Sequence, residues 1–138
     1  MGIKGTYVVI PNINDTTEDI FNNRNDEAYY IIDTISINSI YNENKELTEN
    51  VNLLIISSVY QNKNERINRT YDNFNKLEEI NFNFDIQKDI VTDKIWDYCY
   101  NISKTKLREL IEKRILNSTN ENDVLDEIYK NGITFEDV

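Results

Sequence analysis

Short apolar runs and two-residue alternations dominate the first sixty residues of the chain. The run TYVVI at Thr6–Ile10 predicts a short buried strand, which ends at Pro11 because proline lacks a backbone N–H. Ala28–Tyr41 joins an apolar run to an alternating segment, which predicts one long strand or a strand with a bulge. Val51–Tyr60 contains four consecutive apolar residues, typical of a strand buried on both faces in the middle of a sheet. The pattern therefore predicts a mostly antiparallel sheet of three or four strands.

The apolar spacing changes from the strand period to the helix period after Gln61. Asn62 followed by Glu65 resembles a capping box, and the acidic side chain also complements the helix dipole. The spacing predicts an amphipathic helix over residues 62–80 that packs on the sheet through Ile67, Tyr71, Phe74 and Leu77. A strand leading into such a helix is half of a β-α-β unit, and the alternation of Phe82, Phe84 and Ile86 suggests a short returning strand.

Residues 89–131 predict a C-terminal group of two or three helices. Hydroxyl residues that cap helices divide this segment, and the predicted helix starts are Thr92, Ser103 or Thr105, and Ser118. The last helix would end at Asn131-Gly132. Strands mainly within 1–61, a helix over 62–80 and helices over 89–131 are typical of an α+β fold.

The size of the chain predicts the number of domains, and its composition indicates the kind of genome that encodes it. A chain of 138 residues and 16.4 kDa has the size of one domain, so we expect a single compact domain over residues 1–138. Amino acids with AT-rich codons are abundant, whereas alanine and proline each occur once, as Ala28 and Pro11. This bias indicates an AT-rich genome, such as that of a low-GC bacterium, its phages or a large DNA virus.

The chain has no histidine, and its 25 acidic side chains outnumber the 15 basic ones. The missing imidazole excludes histidine-dependent nucleophile pairs and histidine-ligated zinc sites. The lone Cys99 excludes both an internal disulfide and a thiolate zinc cage from one chain. The three glycines form no phosphate-binding loop. We therefore predict a non-enzymatic protein with no catalytic residue, cofactor or metal ion; a hydrolase that uses a carboxylate pair is the remaining enzymatic alternative.

Surface recognition is then the candidate activity. Tyrosine is enriched at protein interfaces, and the candidate interface tyrosines are Tyr29, Tyr30, Tyr41 and Tyr98. A second candidate group surrounds the predicted start of the last helix and consists of Glu121, Asp123, Asp126 and Glu127. A simpler explanation of these acids is that they complement the helix dipole and keep the surface soluble. Core packing is the simplest explanation of Trp96 and Tyr100.

The basic side chains and the apolar runs limit the partners. Five basic residues gather on the predicted middle helix, where we interpret them as a solvated face: Lys104, Lys106, Arg108, Lys113 and Arg114. A net charge of −10 opposes binding to phosphates, so we predict no direct contact with duplex nucleic acid. There is neither a leader-like segment nor an apolar run of about 18 residues. We expect a soluble protein without membrane contact, in the host cytoplasm or in a virion.

The order of strands followed by helices is similar in outline to that of small head–tail connector and tail-terminator proteins of phages. This likeness implies a structural assembly subunit that contacts other proteins, including copies of itself, through sheet edges and tyrosines. The alternative is a small acidic inhibitor or immunity protein that binds a basic host defence nuclease or toxin, partly by mimicking nucleic acid. The alternative predicts binding that weakens steeply with salt.

Overall fold

The computed structural model describes residues 2–10, 23–68, 76–117 and 132–138. Over these ranges the chain forms one antiparallel sheet of five strands, which are β1 (Ile3–Tyr7), β2 (Asn25–Tyr41), β3 (Leu47–Tyr60), β4 (Lys76–Gln87) and β5 (Phe135–Asp137). The spatial order is β4-β3-β2-β1-β5. A short helix α1 (Lys63–Asn68) follows β3, a 3-10 turn (Lys88–Ile90) follows β4, and the long helix α2 (Ile95–Asn117) packs on one face of the sheet.

The prediction of a sheet followed by two or three C-terminal helices is wrong. Helix α2 runs unbroken through the predicted break at Ser103, and β5 returns to the sheet beside β1. Ser103 is 1% exposed and lies on the buried side of α2, so packing of the helix against the sheet overrides its tendency to start a new helix. The segment 118–131, with the predicted third helix, lies outside the described residues.

The helix predicted over residues 62–80 is also shorter than expected. Helix α1 ends at Asn68, and β4 begins at Lys76. The predicted helix start is confirmed, because the Glu65 N–H donates to Asn62 Oδ1 at 2.9 Å. Strand β4 runs antiparallel to β3, so the connection through α1 is a return to the neighbouring position and not a β-α-β crossover.

The hydrophobic core lies between the sheet and α2. Alternate residues of the interior strand β3 face the helix, and Leu53 and Ile55 are fully buried there. Cys99 and Leu107 contribute to the same cluster from α2. Each such aliphatic side chain stabilises the fold by about 1.5–3 kcal/mol on burial. Within the described part of the chain, no helix is both long and apolar enough to cross a membrane.

A bulge in β2 confirms the prediction of a long, irregular strand. Pairing with β3 shifts between Ile32 and Thr34, which places Asp33 outside the regular register. The Ile32 N–H donates to the Tyr100 hydroxyl of α2 at 3.2 Å. The irregular point of the sheet is therefore anchored to the helix.

Helix α1 covers one end of the other sheet face. Tyr29 and Tyr60 are directly opposite each other in β2 and β3 and are both buried. The Arg66 guanidinium lies 5.8 Å from the centre of the Tyr60 ring. Beyond this end, Leu54 and Ile56 are only half-buried on the same face. The prediction that β3 is buried on both faces thus holds only next to α1.

Candidate interaction surfaces

The four tyrosines predicted at an interface have different environments. Tyr29 and Tyr30 are 5% and 1% exposed. The Tyr30 hydroxyl donates to the Thr6 carbonyl at 2.8 Å, and burial raises the pKa of Tyr30. Tyr98 packs half-buried against the core, and Tyr41 is 60% exposed. Of the four, Tyr41 is therefore the one with a side chain largely available to a partner.

The predicted acidic group lies outside the described residues, so the structure gives no geometry for it: Glu121, Asp123, Asp126 and Glu127.

Exposed apolar side chains gather at the end of the sheet where β2 turns into β3. Tyr41 and Leu47 are directly opposite each other next to the turn and are 60% and 56% exposed. Ile37 on β2 is 40% exposed and Trp96 on α2 is 44% exposed. We call these four residues the hairpin-end surface. Of these four residues the sequence predicted only Tyr41 at an interface. Trp96 was expected to pack in the core, which its exposure corrects, and Leu47 lay between two predicted strands.

The path of the chain brings Trp96 to this end. Strand β4 ends at Gln87, which is opposite Asn50 near the start of β3. The chain then makes the 3-10 turn and enters α2 at Ile95. The far end of α2 is tied to the other end of the sheet, where Arg114 contacts Glu78 at the start of β4. Helix α2 therefore runs from the hairpin end towards the opposite end.

The hairpin end is also strongly acidic. Seven exposed carboxylates lie on the hairpin, at the end of β4 and around the start of α2: Glu43, Glu46, Glu49, Asp85, Asp89, Asp93 and Asp97. The same region has three exposed lysines, which are Lys45, Lys88 and Lys94. A cavity of about 500 Å³ opens between the start of β3 and the 3-10 turn, lined by Glu49, Gln87, Lys88 and Asp89. Exposed apolar side chains in a negatively charged environment favour a partner with positive charge around an apolar contact.

Strand β4 forms one edge of the sheet. Its pairing with β3 is continuous from Gln87 to Glu78 and contains no bulge or proline. Among the described residues, no other backbone or side-chain group bonds to the β4 backbone on its outer side. Phe82 and Phe84 are half-buried beside this edge, and the Lys106 ammonium lies 4.3 Å from the centre of the Phe84 ring. The β4 edge therefore offers backbone donors and acceptors next to partly exposed aromatic rings.

The opposite edge of the sheet is protected. Strand β5 has only three residues and pairs with β1. Ion pairs extend across it, from Lys4 to Glu136 at 3.3 Å and from Lys104 to Asp137 at 3.0 Å. Short strands and charged side chains are the usual protection of a sheet edge. Strand β4 is long, and between Ile80 and Phe84 it carries no charge.

A buried charged cluster fixes the end of α2 to the sheet. Arg114 is 8% exposed and forms two hydrogen bonds to the Glu78 carboxylate, at 2.8 and 2.5 Å. It also donates to the Val8 carbonyl at 2.7 Å, and the Tyr7 hydroxyl donates to Glu78 at 2.9 Å. Burial, with the neighbouring Glu78 carboxylate, raises the pKa of Tyr7 to about 12. The cluster joins α2, β1 and β4.

The predicted solvated basic face of α2 is largely engaged within the chain, which corrects the interpretation of that cluster. Arg114 is buried, and the Arg108 guanidinium donates to the Ile133 carbonyl at 2.6 Å. Lys104 and Lys106 make the ion pair and the ring contact described above. These contacts tie the helix to β4, to β5 and to the residues just before β5.

The described residues contain no group of three or more cysteine or carboxylate side chains placed to hold a metal ion. Comparison of the chain with protein-family models, with curated proteins and with solved structures finds no match.

Proposed function

We propose that this chain is a non-enzymatic protein–protein interaction protein that acts as a structural subunit of a larger assembly, such as the head–tail region of a phage or of a similar mobile element. The observation that carries the proposal is the hairpin-end surface. Its four apolar side chains are 40–60% exposed and gather at one end of the molecule. Its two aromatic members, Tyr41 and Trp96, are of the residue types that most often anchor protein interaction sites.

The hairpin-end surface is suited to binding because regular elements hold it. Tyr41 and Leu47 sit in paired strands, and Trp96 sits in the first turn of α2. Side chains on such elements lose little backbone freedom when a partner binds. Tyrosine and tryptophan often contribute most of the binding energy at an interface.

The acidic hairpin end supports a second candidate function, a small acidic inhibitor or immunity protein that binds a basic nuclease or toxin. Seven exposed carboxylates against three lysines give this end a negative field. Such a field speeds association with a basic partner, and the rate falls with added salt. The two candidates use the same surface but differ in how strongly binding depends on ionic strength.

The test is coexpression of the chain with the products of the neighbouring genes, followed by purification and measurement of stoichiometry at about 0.1 and 1 M salt. The test variant is Tyr41→Ser/Leu47→Ser, which removes two exposed anchors from the hairpin end. The control is Val9→Ser/Ile10→Ser, which removes two exposed apolar side chains elsewhere on the chain.

An assembly subunit is expected to form a complex of fixed stoichiometry that survives high salt, is lost in Tyr41→Ser/Leu47→Ser and is kept in the control. A complex with one basic protein that dissociates at high salt would instead favour the inhibitor. Binding that both double variants leave unchanged would refute the assignment of the hairpin end as the binding surface.

A further inference from the structure

The β4 edge is long enough to accept another strand. Its twelve residues span about 40 Å at the rise of an antiparallel strand. An uncovered edge of this length is a template for pairing unless charge, proline or a bulge interrupts it. From Glu79 to Gln87 there is no proline or bulge, and the two charged residues, Glu79 and Asp85, both lie on the exposed outer face.

The sheet geometry restricts how two copies of β4 could pair. Residues that are directly opposite in an antiparallel pair lie on the same face of the sheet. Even positions of β4 lie on the face that α2 covers, and odd positions lie on the opposite, outer face. If the paired sheets are continuous, even positions must therefore meet even positions. The two-fold axis then passes midway between the two copies of one residue, which we describe as the residue on the axis.

Four such registers keep at least nine residues of β4 paired, and side-chain chemistry separates them. With Ile80 on the axis, Glu78 of one copy falls opposite Phe82 of the other, which opposes a charge to an apolar ring. With Phe82 on the axis, Glu79 of one copy falls opposite Asp85 of the other, which is repulsive. With Asn81 on the axis, Glu78 falls opposite Phe84, which opposes a charge to an apolar ring. These three registers place carboxylates at unfavourable positions.

The fourth register, with Asn83 on the axis, has no such conflict. Phe82 is opposite Phe84, so the two aromatic pairs flank the axis on the α2 face. Ile80 is opposite Ile86 on the same face, and the outer face pairs Asn81 with Asp85. Cross-strand aromatic and aliphatic pairs of this kind stabilise antiparallel sheets.

We infer that β4 pairs with β4 of a second copy of this chain about a two-fold axis through Asn83, which produces a continuous ten-stranded sheet with both α2 helices on one face. The pairing uses residues 79–87 of each copy and adds about one backbone hydrogen bond per residue pair. It also covers the half-exposed rings of Phe82 and Phe84. This inference rests on the proposed role as an assembly subunit, but it uses none of the four residues of the hairpin-end surface.

The test is disulfide cross-linking of single cysteine substitutions on the outer face of β4. On the inferred axis, the two copies of residue 83 lie about 4.5–5.5 Å apart at Cα, within the range of a disulfide. The two copies of residue 81 lie about 14 Å apart, beyond that range. Asn83→Cys and the matched control Asn81→Cys both change an exposed asparagine, and the native Cys99 is buried and does not compete.

Mild oxidation is expected to link Asn83→Cys into a dimer and to leave Asn81→Cys monomeric on a non-reducing gel. Sedimentation of the unmodified chain is expected to show a dimer that strengthens with salt, because each copy carries a net charge of −10. Linking of Asn81→Cys, equal linking of both variants, no linking of Asn83→Cys, or a chain that stays monomeric at every concentration would overturn the inference.

The same samples separate this inference from the proposed function. The Tyr41→Ser/Leu47→Ser change is expected to leave the Asn83→Cys link intact. Loss of partner binding with an intact link would affect only the hairpin-end role. Failure to link in a chain that still binds its partners would remove the β4 dimer and leave the assembly role standing.

Discussion

Substitution of Arg114 by methionine should destabilise the protein more than any exposed change on α2. The Arg114 guanidinium joins α2 to β4 through Glu78 and to the residue that follows β1 through the Val8 carbonyl. Methionine keeps most of the aliphatic length of arginine, so the change removes the charge and the hydrogen bonds more than the packing. It leaves the Glu78 carboxylate without its ion-pair partner and Val8 without its side-chain donor.

The expected loss follows from the burial of the pair. Breaking a buried ion pair from one side costs about 3–5 kcal/mol, because the other charge stays behind. The Glu78 side chain is 21% exposed and keeps the Tyr7 hydroxyl as a donor, so water and tyrosine offset part of this cost. We therefore expect a loss near the lower end, about 3 kcal/mol. Adding Glu78→Gln removes the stranded charge and should restore about 1 kcal/mol of that loss.

The assay is urea unfolding at pH 7, followed by far-UV circular dichroism and fitted with a common m-value. Lys113→Met is the matched control, since it makes the same change one residue earlier at an exposed position, where we expect less than about 0.5 kcal/mol. An Arg114→Met variant within about 1 kcal/mol of the unmodified chain would show that the pair contributes little. A double variant that is less stable than Arg114→Met would refute the stranded-charge explanation.

Three further predictions concern buried groups. The pKa of Tyr7 is raised to about 12 from its ordinary value near 10, so the stability that Tyr7 contributes is complete below pH 10 and is lost as the pH rises from 10 to 12. The Tyr7→Phe variant should therefore have a urea midpoint that is less sensitive to pH across that range. An unchanged dependence of the midpoint on pH would contradict the assignment. Burial raises the pKa of the Cys99 thiol to about 11 and excludes solvent from it. Ellman's reagent at pH 8 should therefore react slowly with Cys99 in the native protein and at once in the protein unfolded by urea. A rapid reaction of the native protein would contradict this burial. A methyl group at Gly5 would overlap the Phe135 ring, so Gly5→Ala should displace β5. We expect the free energy of unfolding in urea to fall by about 1–3 kcal/mol. A stability equal to that of the unmodified chain would show that β5 adjusts freely.

Local signals in the sequence predicted the elements whose structure depends on neighbouring residues. The apolar alternation placed β2 and β3, and the bulge in β2 is present. Asn62 caps α1 as predicted, and Thr92 accepts a hydrogen bond from the Lys94 N–H at the entry to α2. In each case a side chain bonds to a backbone group a few residues away, so the pattern and the structure coincide.

Long-range packing decided the parts that the sequence did not predict. Helix α2 continues past Ser103 because an inward stripe that includes Leu107 and Ile111 stays on the sheet. Strand β5 is too short to leave a periodic signal and forms because β1 offers a free edge. The segment before β4 looks helical by spacing, but pairing with β3 begins at Lys76. None of these contacts can be inferred from neighbouring residues alone.

The candidate tyrosines illustrate the same limit for the interaction surfaces. Tyr29 and Tyr30 are neighbours in a strand, so they point to opposite faces, where one is covered by α1 and its surroundings and the other by the core. Tyr41 lies in the same strand, beyond the region that α1 covers. The residue type is identical in all three, and only the extent of the neighbouring helices separates the exposed side chain from the buried ones.

The two surfaces have different consequences for assembly. A β4 pair about a two-fold axis uses the same residues on both copies, so it closes at a dimer and cannot extend. Growth beyond the dimer needs a contact through a second surface. The hairpin end is available for that contact because the inferred β4 pairing, centred on Asn83, leaves Tyr41 and Leu47 uncovered. A dimer would present two hairpin ends related by the two-fold axis, which raises the effective concentration of the second contact once the first has formed. An assembly subunit gains from this arrangement, whereas an inhibitor of a single basic enzyme needs only one hairpin end.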